Sequence, residues 1–195
     1  MSALKNVLAL IGLLSLIVVL VITIKVNTIF NVFDTFDDKA VDIYSDFIMK
    51  AYESGSAIDA MVHKVKVQRG ISSEELDKSI HSIANELNIK NVGELPLSDQ
   101  VQAMSGKAYR YVKIYLLCNA MTAANMLNFS DGFSSFLPCR ISVVEDEEGE
   151  LWLYTLNLDL LIYGGKPIPP ALKDETVRIR DSLHEIMRRS AIGDF

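Results

Sequence analysis

The stretch FLPCRISVVEDEEGELWLYTL (residues 136–156) decides the fold, because it predicts a β-hairpin. Residues 140–145 and 150–156 are rich in β-branched, aromatic and alternating apolar residues, which is typical of paired strands. The turn between them, DEEG, places Gly149 where a left-handed backbone conformation is needed. An antiparallel pair joined by a short turn is therefore expected at the centre of the domain.

Two more strands and three helices are predicted around this hairpin. MVHKVKV (61–67) and KAYRYVKIYLLCN (107–119) alternate between two faces, as half-buried strands do. Helical periodicity or capping predicts helices after Ser72, where Glu75 completes a capping box, after Asn119, and over 170–190. This order favours an α+β, two-layer domain with a mainly antiparallel sheet and helices on one face.

Residues 6–24, NVLALIGLLSLIVVLVITI, contain no charged side chain. A helix of this length spans roughly 28 Å, close to the hydrocarbon thickness of a bilayer. The apolar run is longer than that of a cleaved signal peptide, and no small-x-small cleavage site follows it. We therefore expect an uncleaved transmembrane anchor in contact with the lipid bilayer.

The chain divides into three predicted parts. They are the anchor (1–25), a juxtamembrane helical stalk (26–55) and the α+β soluble domain (56–195). The apolar stripe of the stalk runs from Ile29 to Ala51, and the stalk either pairs with a second copy or packs on its own domain. Lysines flank both ends of the anchor, and we expect a single-pass protein of the cell membrane with its domain on the periplasmic or extracellular side.

Composition and motifs narrow the function classes. The formal net charge of −6 and the lack of a basic stripe argue against nucleic-acid binding. SDGFSS and YGGKP lack the spacing of a phosphate-binding loop, and neither a serine nucleophile elbow nor a histidine pair at i, i+4 is present. No catalytic residue, cofactor or metal site is predicted, which favours a function other than catalysis.

The two cysteines, Cys118 and Cys139, are the residues most able to carry chemistry. Both are predicted to lie on the inward faces of their strands. Three roles stay open: small buried hydrophobes, a disulfide that closes the intervening loop, and a redox or ligand pair. His63, Asn119 and Arg140 are candidate pocket neighbours.

The other two histidines, His81 and His184, lie on amphipathic helices and are expected at the surface. His63 lies on the apolar phase of a strand, where it is either a ligand or a hydrogen-bonded core residue.

YLLCNAMTAANML followed by FLPCRISVVEDEEGELWLYTLN resembles the domain-of-unknown-function 302 family over about residues 61–165. The resemblance rests mainly on LPCR and EDEEGELWL, the opening and turn of the hairpin. Ala120 stands where family members usually have proline, and the anchor and stalk are additions. The resemblance implies a small α+β domain that is often dimeric, and it implies no catalytic residues.

The sequence therefore favours a membrane-anchored domain that binds a small ligand or a partner, as a homodimer. The alternative is a thiol-dependent redox or metal-handling protein that uses Cys118 and Cys139.

Overall fold

A computed structural model describes residues 2–195, apart from the side chains of residues 2, 3, 29 and 30. The predicted stalk residue Ile29 therefore lies outside the described side chains. In chain order the helices and strands are α1 Ser2–Phe33, α2 Ala40–Ser54, α3 Ala57–Ala60, β1 Val62–Lys66, α4 Ser73–Glu86, β2 Lys90–Pro96, α5 Leu97–Ser105, β3 Val112–Cys118, α6 Ala120–Phe129, β4 Cys139–Glu145, β5 Leu151–Leu156, α7 Asp159–Tyr163 and α8 Pro170–Ser190. A short 3-10 turn, Asp131–Ser135, leads from α6 towards β4.

The strands form one antiparallel sheet in the order β1-β5-β4-β3-β2. The β4–β5 hairpin lies at its centre, and the turn residue Gly149 has the left-handed φ of 78° that its position requires. The predicted α+β class and antiparallel sheet are confirmed. The Leu137–Pro138 peptide bond that leads into β4 is cis.

Strand β2, helix α5 and the short helices α3 and α7 are the elements that sequence analysis missed. The strand sequence KNVGELP contains a glycine and ends in proline, and both residues are depleted in strands. Its pairing with β3 shifts register between Asn91 and Gly93. A bulged edge strand of this kind has no regular alternation for a sequence pattern to reveal.

The core lies between one face of the sheet and the helices α4 and α8. Directly paired residues of antiparallel strands point to the same face. The buried sheet positions of this core are Tyr115, Leu117, Ile141, Val143 and Leu153, packed on helix residues that include Leu76, Ile83, Leu183 and Ile186. All the fully buried members of this cluster lie between residues 67 and 191, within the predicted soluble domain.

The predicted inward face of β3 was wrong. Tyr115 and Leu117 face the helices, so Cys118 belongs to the opposite phase, with Ile114 and Leu116. The sequence favoured the wrong face because that face carries more apolar residues than the face with Tyr115. Tyr115 can nevertheless lie in the core, because its ring is buried while its hydroxyl group donates a hydrogen bond to Asp77. Cys139 pairs with Leu117 and does face the helices.

The predicted helix boundaries hold where capping was visible. Ser72 and Glu75 form the expected capping box at α4. The Asn119 side chain accepts a hydrogen bond from the backbone N–H of Thr122 at the start of α6. The stalk helix α2 ends at Gly55, whose φ of 67° is the left-handed conformation of a glycine cap.

The N-terminal helix α1 is long and apolar enough to cross a membrane over Leu4–Phe33, and none of its most apolar stretch is buried. The predicted stalk (26–55) is not a single helix continuous with α1, because α1 ends at Phe33 and α2 begins at Ala40. The chain turns at residues 34–39, where the Asp37 carboxylate accepts a hydrogen bond from the Lys39 backbone N–H. Helix α2 begins only after this turn.

The turn at Asp37 packs on the domain. Asp37 is buried and forms an ion pair with Lys173 of α8, and its backbone N–H donates to the Gly165 carbonyl. The Tyr44 hydroxyl donates to the Gly164 carbonyl at 2.6 Å. The sequence left two arrangements open for the stalk, pairing with a second copy or packing on its own domain. These contacts correspond to packing on its own domain.

Candidate functional site

A polar cluster lies at the β2 side of the core, where α4 faces β2 and β3. Lys113 extends its ammonium between two carboxylates, with Nζ 2.5 Å from Asp77 Oδ1 and 2.8 Å from Glu94 Oε2. The Tyr115 hydroxyl donates to Asp77 Oδ1 at 2.6 Å. His81 Nε2 lies 2.8 Å from Glu94 Oε1. We call these five residues the Lys113 cluster.

Mutual pairing keeps Asp77, Glu94 and Lys113 ionised at neutral pH. Burial alone would raise the pKa of Asp77, but the hydrogen bonds from Lys113 and Tyr115 outweigh it, and the pKa is lowered. Burial likewise opposes ionisation of Glu94, yet the bond from Lys113 lowers its pKa. Burial would lower the pKa of Lys113, but its two carboxylate partners raise it.

These shifts argue against Lys113 and Tyr115 as a nucleophile or general base. Burial and the bond to Asp77 raise the pKa of Tyr115, so its phenol stays protonated. A lysine that catalyses needs a lowered pKa, and that of Lys113 is raised.

Asp77, His81 and Glu94 also have a spacing that could suit a metal ion, with one ligand atom from each within 4.8 Å of the others. The ammonium of Lys113 already lies between the two carboxylates, however. It occupies the position where a cation would lie and offsets one of the two negative charges.

The cysteines are both free thiols. Burial, and secondarily the neighbouring Cys118, raises the pKa of Cys139 to about 11. Burial also raises the pKa of Cys118. Since the thiolate is the nucleophile and the metal ligand, neither cysteine is poised for thiol chemistry at neutral pH.

The residues predicted to line a pocket with the cysteines do not all lie together. Cys118, Asn119 and Cys139 line a small cavity of about 20 Å³. Cys139 and Arg140 line a larger one. His63 joins neither, and its ring stacks on that of His184 instead.

An open groove around Phe136, which we call the Phe136 groove, lies beside the predicted residues Cys139 and Arg140. Its first cavity, about 240 Å³, lies at the ends of β4 and β5 and is lined by Cys139, Arg140 and Leu156 among others. Its second, about 270 Å³, lies on the other side, against Phe133 and Gly164. Phe136 is shared by both cavities and is 41% exposed.

Apolar side chains form most of the Phe136 groove, and Arg140 supplies a positive charge at its rim. The Arg140 side chain makes no hydrogen bond or ion pair with any side chain that the structure describes. Its backbone carbonyl accepts a hydrogen bond from Thr155, which fixes the strand beneath it. An apolar wall with an unpaired guanidinium is suited to a ligand that has both an apolar part and an anionic group.

The far end of the Phe136 groove touches the linker that follows α1. Gly164 and Gly165 line the second cavity, and their carbonyls are the acceptors for Tyr44 and Asp37. A side chain at Gly164 would come within 2.3 Å of the Leu160 carbonyl oxygen, so this wall requires glycine. The groove therefore lies next to the point where the apolar helix ends.

Sequence analysis found Cys139 and Arg140 of the groove but missed the Lys113 cluster and Phe136. Part of the cluster was readable, because Asp77 and His81 have helical i, i+4 spacing. Glu94 was not, because it lies on the strand that the sequence did not predict. Tertiary packing alone brings these elements together.

The architecture defines a class of protein in which an N-terminal apolar helix is followed by a two-layer α+β domain. The family described as "Domain of unknown function DUF302" matches residues 63–190, and the chain belongs to this family. The match extends beyond the resemblance seen in the sequence and includes α8. No curated protein sequence matches the chain significantly.

The fold is similar to a crystal structure described as that of an uncharacterized conserved protein DUF302 from Bacillus stearothermophilus. The TM-score is 0.55 at 19% sequence identity, over 67% of this chain and 98% of that one. At this identity the similarity supports the fold alone.

Proposed function

We propose that this protein is a single-pass membrane protein whose DUF302 domain binds a small amphipathic anion, of the medium-chain fatty-acid type, in the Phe136 groove. The observation that carries the proposal is the unpaired guanidinium of Arg140 at the rim of an apolar cavity. The domain binds this ligand without chemical conversion, because the raised pKa values of Lys113, Tyr115 and Cys139 argue against an activated nucleophile or base.

The dimensions of the groove limit the ligand. Ligand pockets usually have volumes of about 300–1,000 Å³. Each of the two cavities is smaller than that. We infer a ligand whose short apolar part lies against Phe136 and Leu156, with its anionic group paired to Arg140. Bidentate pairing with a carboxylate or phosphate is the contact for which the planar guanidinium is best suited.

The membrane anchor is consistent with such a ligand. An amphipathic anion partitions into the membrane–water interface, and the groove ends at residues bonded to the linker after α1. In this proposal α1 is retained as the anchor and keeps the groove close to the source of its ligand. Its sidedness stays a prediction, with the domain expected outside the cytoplasm. Labelling an engineered cysteine at position 107 in intact cells with a membrane-impermeant reagent tests that side.

The homodimer also stays a prediction, which native mass spectrometry of the full chain tests. A thiol-dependent function is not proposed, since the raised pKa of Cys139 disfavours the thiolate.

The ligand proposal is tested with the full chain in zwitterionic lipid nanodiscs. The probe is 8-anilinonaphthalene-1-sulfonate, an amphipathic anion whose fluorescence increases in an apolar site, with empty nanodiscs as the background. We expect saturable binding that octanoate displaces and octylamine, with the opposite charge, does not. Arg140→Gln should weaken probe binding roughly tenfold, the loss of about 1.4 kcal/mol that one charge-assisted contact supplies.

Arg188→Gln is the matched control, because it removes the same charge from an exposed position near the end of α8. If both variants bind the probe as the wild type does, Arg140 is not the anion site. Equal displacement by octanoate and octylamine would show a non-selective apolar surface and would overturn the proposal.

A further inference from the structure

His63 and His184, which we call the histidine pair, join strand β1 to helix α8. Their rings stack with centroids 4.1 Å apart and an angle of 30° between the planes. His63 pairs with Thr155 in the sheet and so points to the inner face, towards α8. Neither ring belongs to the Lys113 cluster or lines the Phe136 groove.

The charges around the histidine pair do not favour a second positive charge. Lys50 of the stalk helix faces His63. Arg180 of α8 faces His184, and the carboxylates near it are Asp159 of α7 and Asp181. Arg180 already pairs with both, at 2.7 Å to Asp159 and 2.8 Å to Asp181. Together with Lys50 these groups carry two positive and two negative charges, so no excess negative charge is present to stabilise an imidazolium.

The structure provides no acceptor for an added proton on His184. Its Nε2 atom is buried and has no hydrogen-bond partner among the described residues. A charged imidazolium has two N–H donors, and leaving one of them buried without an acceptor is costly. Two charged rings at this separation would also repel each other.

We propose that the histidine pair is an acid-sensitive contact, closed while both rings are neutral and opened by their protonation, which releases β1 from α8. Strand β1 is an edge strand that pairs only with β5 in the described sheet. Apart from β5, the strand is held by the packing of Val65 on the core and by the histidine contact with α8, and β1 is the part of the sheet that loosens first as the pH falls.

The direction of the proton linkage agrees with this geometry. Burial lowers the pKa of His63, and Lys50 lowers it further. Burial, His63 and Arg180 lower the pKa of His184. A histidine whose pKa is lower when folded than when unfolded stabilises the fold at high pH. That stability is lost as the pH falls below the ordinary histidine value of about 6.5.

The test is an NMR titration of the full chain in nanodiscs, with ¹³C-labelled histidine rings. The chain has 3 histidines, so the ring signals can be assigned by single substitution. We expect the titration midpoints of His63 and His184 to lie below the ordinary value. In His184→Gln the midpoint of His63 should shift upwards, and in His63→Gln that of His184 should shift upwards, because each ring disfavours the charge on the other.

Midpoints at or above the ordinary value in the wild type, which needs no variant to fold, would overturn the proposal. So would an absence of the reciprocal upward shift.

Amide hydrogen exchange supplies the structural readout. After correction for intrinsic rates, the amides of β1 should lose protection between pH 7 and pH 5, while those of the central strand β3 should not. The His63→Gln/His184→Gln double variant should show no such difference between the two pH values. Equal pH dependence of β1 and β3 would indicate global destabilisation and would contradict a local contact.

Discussion

The Lys113 cluster and the Phe136 groove differ in the way that separates a structural network from a binding site. The Lys113 cluster contains five residues that could perform chemistry, but each already has a partner within the chain. The groove offers few polar groups, yet it has open volume and an arginine whose side chain lacks a described partner. Unpaired groups beside open space, more than reactive residue types, indicate where a ligand binds.

The largest expected effect comes from removing the central charge of the Lys113 cluster. Lys113→Met should lower the free energy of unfolding by about 2–3 kcal/mol, because two partly buried carboxylates lose their counter-charge. Lys113 is only 17% exposed, so solvent cannot replace the ammonium fully. Urea unfolding followed by fluorescence of the single tryptophan, Trp152, measures the change.

Lys78→Met is the control for that loss, because Lys78 forms an exposed i, i+4 pair with Glu74 and should have no measurable effect. Equal unfolding curves for Lys113→Met and Lys78→Met would show that the cluster contributes nothing to stability. A functional role for the cluster, as a binding or catalytic site, would then be the better interpretation.

The next effect concerns Cys139, at the boundary between groove and core. Cys139→Ser should lower the free energy of unfolding by about 1–3 kcal/mol, since it places a poorly paired hydroxyl in apolar surroundings. Cys118→Ser, on the opposite phase of β3, should cost less. Denaturation of both variants checks this order, and rapid labelling of Cys139 by a thiol reagent in the native protein would contradict it.

The pH dependence of stability should reveal the Lys113 cluster at low pH. The lowered pKa values of Asp77 and Glu94 mean that their contribution is present above the ordinary carboxyl range, near pH 4, and is lost as the pH falls through the lowered values. Glu94→Gln should therefore flatten the acid limb of the stability curve. An unchanged limb would argue that Glu94 has the same proton affinity in the folded and unfolded chain.

The smallest effect on stability is expected in the groove. Phe136→Ala should change the free energy of unfolding by less than about 1 kcal/mol, because Phe136 is 41% exposed and belongs to neither buried apolar cluster. The same variant should weaken binding of the anilinonaphthalene probe, since the ring is the wall shared by both cavities. A large loss of stability with unchanged probe binding would show that Phe136 stabilises the fold and does not bind the ligand.

Local sequence patterns predicted most of the fold. The Ser72 capping box, the Asn119 cap and the Gly149 turn involve neighbouring residues, so the physical cause of each lies within a few positions of the chain. The apolar run of 6–24 is visible for the same reason. Cys139 and Arg140 of the candidate groove were found because they belong to the same hairpin.

Long-range packing decided the rest. Strand β2 forms because an edge of the sheet is available to it, although its own residues disfavour a strand. Tyr115 can face the core because Asp77, 38 positions away, accepts a hydrogen bond from its hydroxyl group. The stacking of His63 on His184 and the ion pair between Asp37 and Lys173 likewise join residues more than 100 positions apart. Sequence alone determined most of the strands and helices, including the apolar helix. Only the tertiary structure decided which polar groups meet partners and which remain free, because pairing depends on distances that local patterns do not contain.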